Sequence, residues 1–235
     1  MAGILEKVRV DDGDMPLYVS VPASGGPVPG IVVVHGQSGL ESFIKDTTQM
    51  FAQLGYVAVA PNLYHRDGPD CKDDNLTRKS RLRDPSIIRD IEGAIGFLKN
   101  HRQVDGGKLG IVGFCMGGRL VYLMSAASKD LKAGVMFYGS GTMVPFGEGP
   151  SPFERTSEIS CPIQGHFGAN DQNPSPADMR KFDAELAKFG KAHEFHSYAG
   201  AAHAFVNTGS SNYRPHAAAQ SWPRAMEFFS RHLVG

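Results

Sequence analysis

Apolar residues in this chain fall into short continuous runs that alternate with longer stretches of helical spacing. Runs at residues 17–21, 31–34 and 56–60 are bounded by glycine or proline and predict strands. Ile31-Val32-Val33-Val34 is uninterrupted, the pattern of a strand covered on both faces. Further strands are expected at 109–112, 133–138, 163–167 and about 194–198. Helices are predicted over about 42–54, ended by Gly55, and from Pro85 to about His101, where Ile87, Ile88, Ile91, Ile95 and Leu98 stand near helical spacing. Others are expected over about 116–127, 176–189 and 215–233, the last packing through Trp222, Phe228, Phe229 and Leu233. Strand following helix in this way predicts an α/β fold, a mostly parallel central sheet with helices on both faces. Two stretches break the rhythm: a polar excursion over 62–84 and a loop-rich insertion over 139–160. Loops of that length serve as binding elements or lids, or lack order. No repeat or linker interrupts the pattern, so residues 1–235 are expected to form one domain.

Composition narrows the partners. Hydrophobic residues make up 41% of the 235, enough for a large core. Twenty-four basic residues cancel 24 acidic ones, so no overall field draws the chain to nucleic acid or to an anionic membrane. No run approaches the roughly 18–20 apolar residues that span a bilayer. Met1-Ala2-Gly3-Ile4-Leu5-Glu6-Lys7 has no basic segment leading into an apolar one, so no secretory signal is expected. Cys71, Cys115 and Cys161 are odd in number and lack metal-type spacing, which fits a reduced, cytoplasmic setting.

The chemistry concentrates at Leu109-Gly110-Ile111-Val112-Gly113-Phe114-Cys115-Met116-Gly117-Gly118. A strand runs into Gly-x-Cys-x-Gly and a helix follows at once, the setting of a nucleophile elbow. Glycines at 113 and 117 avoid collision with the adjoining strand and helix, and the helix N-terminus favours thiolate. The plain alternative is a structural cysteine in a glycine-rich turn. Two partners weigh against it. Asp171 follows the strand at 163–167, where α/β sheets place site residues, although it also suits an Asx-turn or a helix cap. His203 lies on a small-residue loop between the last strand and the last helix. The order Cys115, Asp171, His203 is the nucleophile–acid–histidine order of α/β-hydrolases.

Gly113-Phe114-Cys115-Met116-Gly117-Gly118, Gly168-Ala169-Asn170-Asp171, Gly200-Ala201-Ala202-His203-Ala204-Phe205 and the stretch Gly55 to Tyr64 resemble the dienelactone hydrolase (carboxymethylenebutenolidase) family. The resemblance runs from about Ile31 to the C-terminus. It implies an α/β-hydrolase fold and a cysteine hydrolase with Cys115, Asp171 and His203 in the triad positions. Two departures bear on the substrate and not on the cysteine chemistry. Gly36, in His35-Gly36-Gln37-Ser38-Gly39, stands where the family commonly has a glutamate that engages the cysteine. Asn207 stands where the enzyme acting on dienelactone carries an arginine that holds the substrate carboxylate.

The expected reaction is hydrolysis of a small ester or lactone through a thioester, with the oxyanion held by the N–H groups of Met116 and Gln37. In the cluster of Arg78, Arg81 and Arg83, a solvated basic patch competes with a role for Arg81 in recognising an acidic substrate group. Neither a metal nor a cofactor is expected, since the acidic residues near His65 lack ligand spacing. A small-molecule substrate and a monomer or small homo-oligomer complete the reading. The competing reading is an α/β-hydrolase-fold binding or regulatory protein with little turnover. A peptidase is disfavoured because thiolate leaves the tetrahedral intermediate more readily than an amine does.

Overall fold

The computed structural model describes residues 3–11, 13–23, 25–68 and 70–235. Of the N-terminal segment read for a secretory signal, Met1 and Ala2 lie outside the described residues. Eight strands form one sheet: β1 (Ile4–Val10), β2 (Gly13–Ser20), β3 (Val28–Val34), β4 (Val57–Pro61), β5 (Val104–Phe114), β6 (Leu131–Phe137), β7 (Ile163–Gly168) and β8 (His193–Tyr198). Their spatial order is β1-β2-β4-β3-β5-β6-β7-β8. Pairing is antiparallel between β1 and β2 and between β2 and β4, and parallel from β4 through to β8.

The helices are α1 (Ser42–Gln53), α2 (Asn75–Ser80), α3 (Asp84–Asn100), α4 (Met116–Ala127), α5 (Pro176–Lys188) and α6 (Pro215–Phe229). Because side chains alternate along a strand, β3 divides its apolar run between two cores. Val32 and Val34 join Ile87, Ile91 and Ile95 of α3 and Leu120 of α4 on one face. Ile31 and Val33 join Phe43 and Phe51 of α1 and Phe228 and Phe229 of α6 on the other. Both faces are covered, which is why no polar residue interrupts residues 31–34.

Several expectations need correction. The excursion over 62–84 is not one loop: it holds a 3₁₀ turn, His65–Asp67, and the short helix α2. Asp74 caps α2, accepting the N–H groups of Leu76 and Thr77. The insertion over 139–160 likewise contains a 3₁₀ turn, Phe153–Glu158. The final helix ends at Phe229 and continues as a π-helical turn, Ser230–Val234. Strand β1 has no counterpart in the sequence reading. Most of its side chains face solvent and it pairs with β2 alone, so burial leaves no apolar pattern there. Among the described residues no helix is long and apolar enough to cross a membrane.

Candidate functional site

Cys115 sits between β5 and α4 with φ 58° and ψ −118°. A side chain at positive φ costs roughly 1–3 kcal/mol and persists only where its surroundings impose it. Here they do. Cys115 N–H donates to Phe137 O at 3.1 Å, and its carbonyl accepts from Arg119 N–H at 3.2 Å and Ser140 N–H at 3.1 Å. The flanking glycines are required by close approach of backbone. A Cβ at Gly113 would lie 2.1 Å from Gly117 O, and one at Gly117 would lie 2.2 Å from Val34 O.

Asp171 follows β7 and is 3% exposed. Its two oxygens divide the work foreseen for it: Oδ1 accepts Asn173 N–H at 2.9 Å as an Asx-turn, and Oδ2 accepts His203 Nδ1–H at 2.9 Å. The turn fixes the carboxylate that orients the imidazole. His203 follows β8 on a loop tied to the Asp171 loop, because Asn170 N–H donates to Ala201 O and Ala169 N–H to Tyr198 O. Gly168 makes that approach possible, since a Cβ there would meet Ala201 O at 2.6 Å. Cys115, Asp171 and His203, distant in sequence, are therefore brought together at the C-terminal edge of the parallel strands, where open α/β sheets bind ligands.

The ionisation of the pair is coupled. Burial opposes a charged Cys115. The hydrogen bond and charge of His203, the Met116 N–H and the charge of Lys79 outweigh it, so the thiol lies below its ordinary range. Burial also opposes a charged His203, but its bonds to Asp171 and Cys115 raise it to about 10. Each partner thus favours the charged form of the other, thiolate on Cys115 and imidazolium on His203.

The loop after β3 faces Cys115 from the other side. Gly36 packs closely against the nucleophile: an added Cβ would sit 3.3 Å from both Cys115 Cβ and Phe114 O, a tight contact. His35 holds the loop. Its Nδ1–H donates to Gly36 O at 2.6 Å, and its Nε2 accepts Leu63 N–H at 3.1 Å. Burial drives its pKa to about 4, so the ring is neutral with the proton on Nδ1. Gln37 O accepts the Tyr64 hydroxyl at 3.0 Å. Among the described residues the Gln37 N–H has no acceptor within the chain. Gln37 and Cys115 share a cleft of about 300 Å³ with Glu41, Tyr138, His203 and Asn207. The described non-glycine residues at positive φ are Cys115, Tyr138 and Ala204, and all three line this cleft. Strained backbone of this kind collects at functional sites.

Arg81 is not brought to the cleft. Its Nε donates to Asp67 Oδ1 at 2.9 Å and its Nη1 to Asp73 Oδ2 at 2.7 Å, and it borders a separate depression with Cys71 and Asp70. The three arginines do lie at the surface, Arg81 and Arg83 exposed and Arg78 half-buried, but each is engaged by neighbouring groups. Arg78 pairs with Asp67 and lies 4.2 Å over the Tyr64 ring, and Arg83 donates to the carbonyls of Ser80 and Leu82. Lys79, unremarked in the sequence reading, is the cation of this segment whose charge reaches Cys115. Glu41 and Tyr138 also escaped it, because an acid preceding a helix and an aromatic ending a strand have ordinary structural uses. Among the described residues no group of three or more His, Cys, Asp or Glu side chains is arranged to hold a metal ion.

Comparison with known proteins adds four findings. The sequence profile of the dienelactone hydrolase family matches residues 15–233. A Methylorubrum extorquens protein that carries the name carboxymethylenebutenolidase is 33% identical over 238 residues, covering 97% of this chain and 80% of its own. A Klebsiella pneumoniae subsp. pneumoniae crystal structure carrying the name dienelactone hydrolase superposes with a TM-score of 0.88 at 28% identity, over 98% of this chain and 100% of that one. The Pyrococcus horikoshii acylaminoacyl peptidase shares the fold alone, with a TM-score of 0.82 at 22% identity over 98% of this chain and 41% of its own.

Proposed function

The chain belongs to the dienelactone hydrolase family, and on that premise we propose that it hydrolyses a small ester or lactone by covalent catalysis at Cys115. The observation carrying this reading is the strained cysteine whose thiolate is favoured by an imidazolium anchored to a buried carboxylate.

The Cys115 thiolate adds to the carbonyl carbon and the carbonyl π pair moves to oxygen. The oxyanion forms beside the N–H groups of Met116 and Gln37. Each such donor contributes about 3 kcal/mol in the transition state. As the intermediate collapses, the C–O bond breaks and the leaving alkoxide takes the Nε2 proton of His203; in a lactone it stays tethered to the acyl group. The product is a Cys115 thioester. Neutral His203 then removes a proton from water, hydroxide adds to the thioester, and the C–S bond breaks to release the acid. Thiolate and imidazolium are restored. Asp171 keeps the Nδ1 proton in place through both halves, so the same ring nitrogen gives and takes the proton.

Acid quenching of a p-nitrophenyl acetate reaction, followed by peptide mass analysis, is expected to find acetyl on Cys115. An acetyl group on another residue, or none with turnover intact, would overturn the mechanism.

The depressed thiol pKa has a direct readout. Alkylation by iodoacetamide is expected to stay fast below the ordinary thiol range, where a free cysteine has already slowed. Asp171→Asn removes the bond that raises His203, so its profile is expected to move up toward that of a free thiol. A wild-type profile matching free cysteine would remove the ion pair.

His35→Ala is expected to release the Gly36–Gln37 backbone and lower kcat by about 10–100-fold with a smaller change in KM, as partial loss of one oxyanion donor requires.

A further inference from the structure

The polar groups of the cleft differ sharply in sign from what a carboxylate-bearing substrate would need. Among the described residues, His203 is the one lining side chain able to carry positive charge, and that charge is answered by Asp171 and by the Cys115 thiolate. Lys79 acts on Cys115 from α2, outside the lining. Glu41 adds a further acid inside. It occupies the N-cap position of α1, where a carboxylate ordinarily accepts helix N–H groups, yet its side chain makes no such bond. It meets Asn207 Nδ2 across the cleft at 3.4 Å, between residues 166 positions apart. A carboxyl that forgoes its own helix and is only weakly bonded across the cleft has acceptor capacity left over. Burial pushes Glu41 upward, the mark of an acid short of donors.

Tyr138 supplies an independent observation. The residue is 1% exposed and lines the cleft, and among the described residues its hydroxyl has no hydrogen-bond partner. Burial holds that hydroxyl neutral, and the charges of Cys115, Glu41 and Asp171 act in the same direction. A buried hydroxyl left unpaired costs roughly 1–3 kcal/mol, a cost that a polar ligand group removes.

Resting on the hydrolase reading above, we propose that Glu41, Asn207 and the Tyr138 hydroxyl form a specificity subsite. It takes esters or lactones whose substituent donates hydrogen bonds, a hydroxyl or an ammonium group, and it rejects those bearing a carboxylate. Glu41 accepts from the donor, Asn207 holds Glu41 in place, and Tyr138 donates to or accepts from the same substituent. A substrate carboxylate would instead face Glu41 with no cation to pair it.

The test uses p-nitrophenyl esters of one length: hexanoate, 6-hydroxyhexanoate, 6-aminohexanoate and the monoester of adipate. For the wild-type protein, kcat/KM is expected to be several-fold higher for the hydroxy and ammonium esters than for hexanoate, and about tenfold lower for adipate. A preference confined to the ammonium ester identifies charge pairing; one shared by both identifies hydrogen bonding. In Glu41→Gln the adipate-to-hexanoate ratio is expected to rise about tenfold and the ammonium preference to vanish, while Tyr138→Phe reduces the hydroxyl preference. The wild-type series stands without any variant. Adipate turned over as well as hexanoate, with turnover dependent on Cys115, overturns the subsite and leaves the hydrolase reading intact. Turnover that survives Cys115→Ala, or no turnover of any of the four esters, overturns the hydrolase reading itself.

Discussion

Replacing Cys115 by alanine is expected to lower kcat on p-nitrophenyl acetate and on small lactones by about 10⁴–10⁶-fold, the scale seen when a nucleophile is removed from a site acting as a unit. Three features concentrate the reaction on this atom. The sulfur is presented by a strained turn at the head of α4, its thiolate is favoured by His203, and the Met116 N–H adds a hydrogen bond to that thiolate. With the sulfur gone, only oxyanion stabilisation and binding remain, and these sustain a small residual rate. The substitution removes one atom from a partly exposed position, so the thermal midpoint is expected to hold within a few degrees. A variant that keeps even a tenth of wild-type turnover would show that another group carries the chemistry. Assaying ester turnover and thermal unfolding on the same preparation separates loss of the nucleophile from loss of the fold.

Arg119→Ala is expected to be the most damaging single change to stability, at about 3–5 kcal/mol, the cost of leaving a buried charge without its partner. Arg119 is fully buried one helical turn beyond the nucleophile. Its Nη1 and Nη2 each donate to Asp84 at 2.7 Å in a bidentate pair, and Nη2 also donates to Val144 O at 2.7 Å. Its guanidinium lies 3.8 Å over the Phe146 ring, while Phe146 N–H donates to Asp84 Oδ2 at 2.9 Å. One ion pair thus joins the head of α3, the first turns of α4 and the loop at 141–146. In a domain of this size each kcal/mol moves the thermal midpoint by about 2–4 °C, so a fall of roughly 6–20 °C is expected by calorimetry. Asp84→Leu combined with Arg119→Met is expected to recover much of that loss, because an apolar pair needs no desolvation of charge. A fall under about 2 °C for Arg119→Ala would show that water or a neighbouring group compensates Asp84.

What could be read along the chain was set by neighbours along the chain. A strand covered on both faces excludes polar residues, so the run at 31–34 announced β3 before its position in the sheet was known. The elbow was legible for the same reason. The turn at Cys115 needs glycines two residues either side, whatever the rest of the protein does. Element order placed Asp171 and His203 after their strands, and with the elbow it pointed to the family.

The tertiary structure decided everything that depends on groups meeting from distant positions. Edge strand β1 is held by backbone pairing to β2 and carries exposed side chains, so no burial pattern wrote it into the sequence. Arg81 reads as a free cation along the chain, yet Asp67 and Asp73 occupy its guanidinium. Glu41 draws no notice along the chain, yet its carboxylate turns to Asn207, 166 residues away. Local sterics and helix or strand spacing act over a few residues and are therefore visible one residue at a time. Which charges are already paired, and which acids face the cleft, is fixed only when the sheet brings its loops together at one edge.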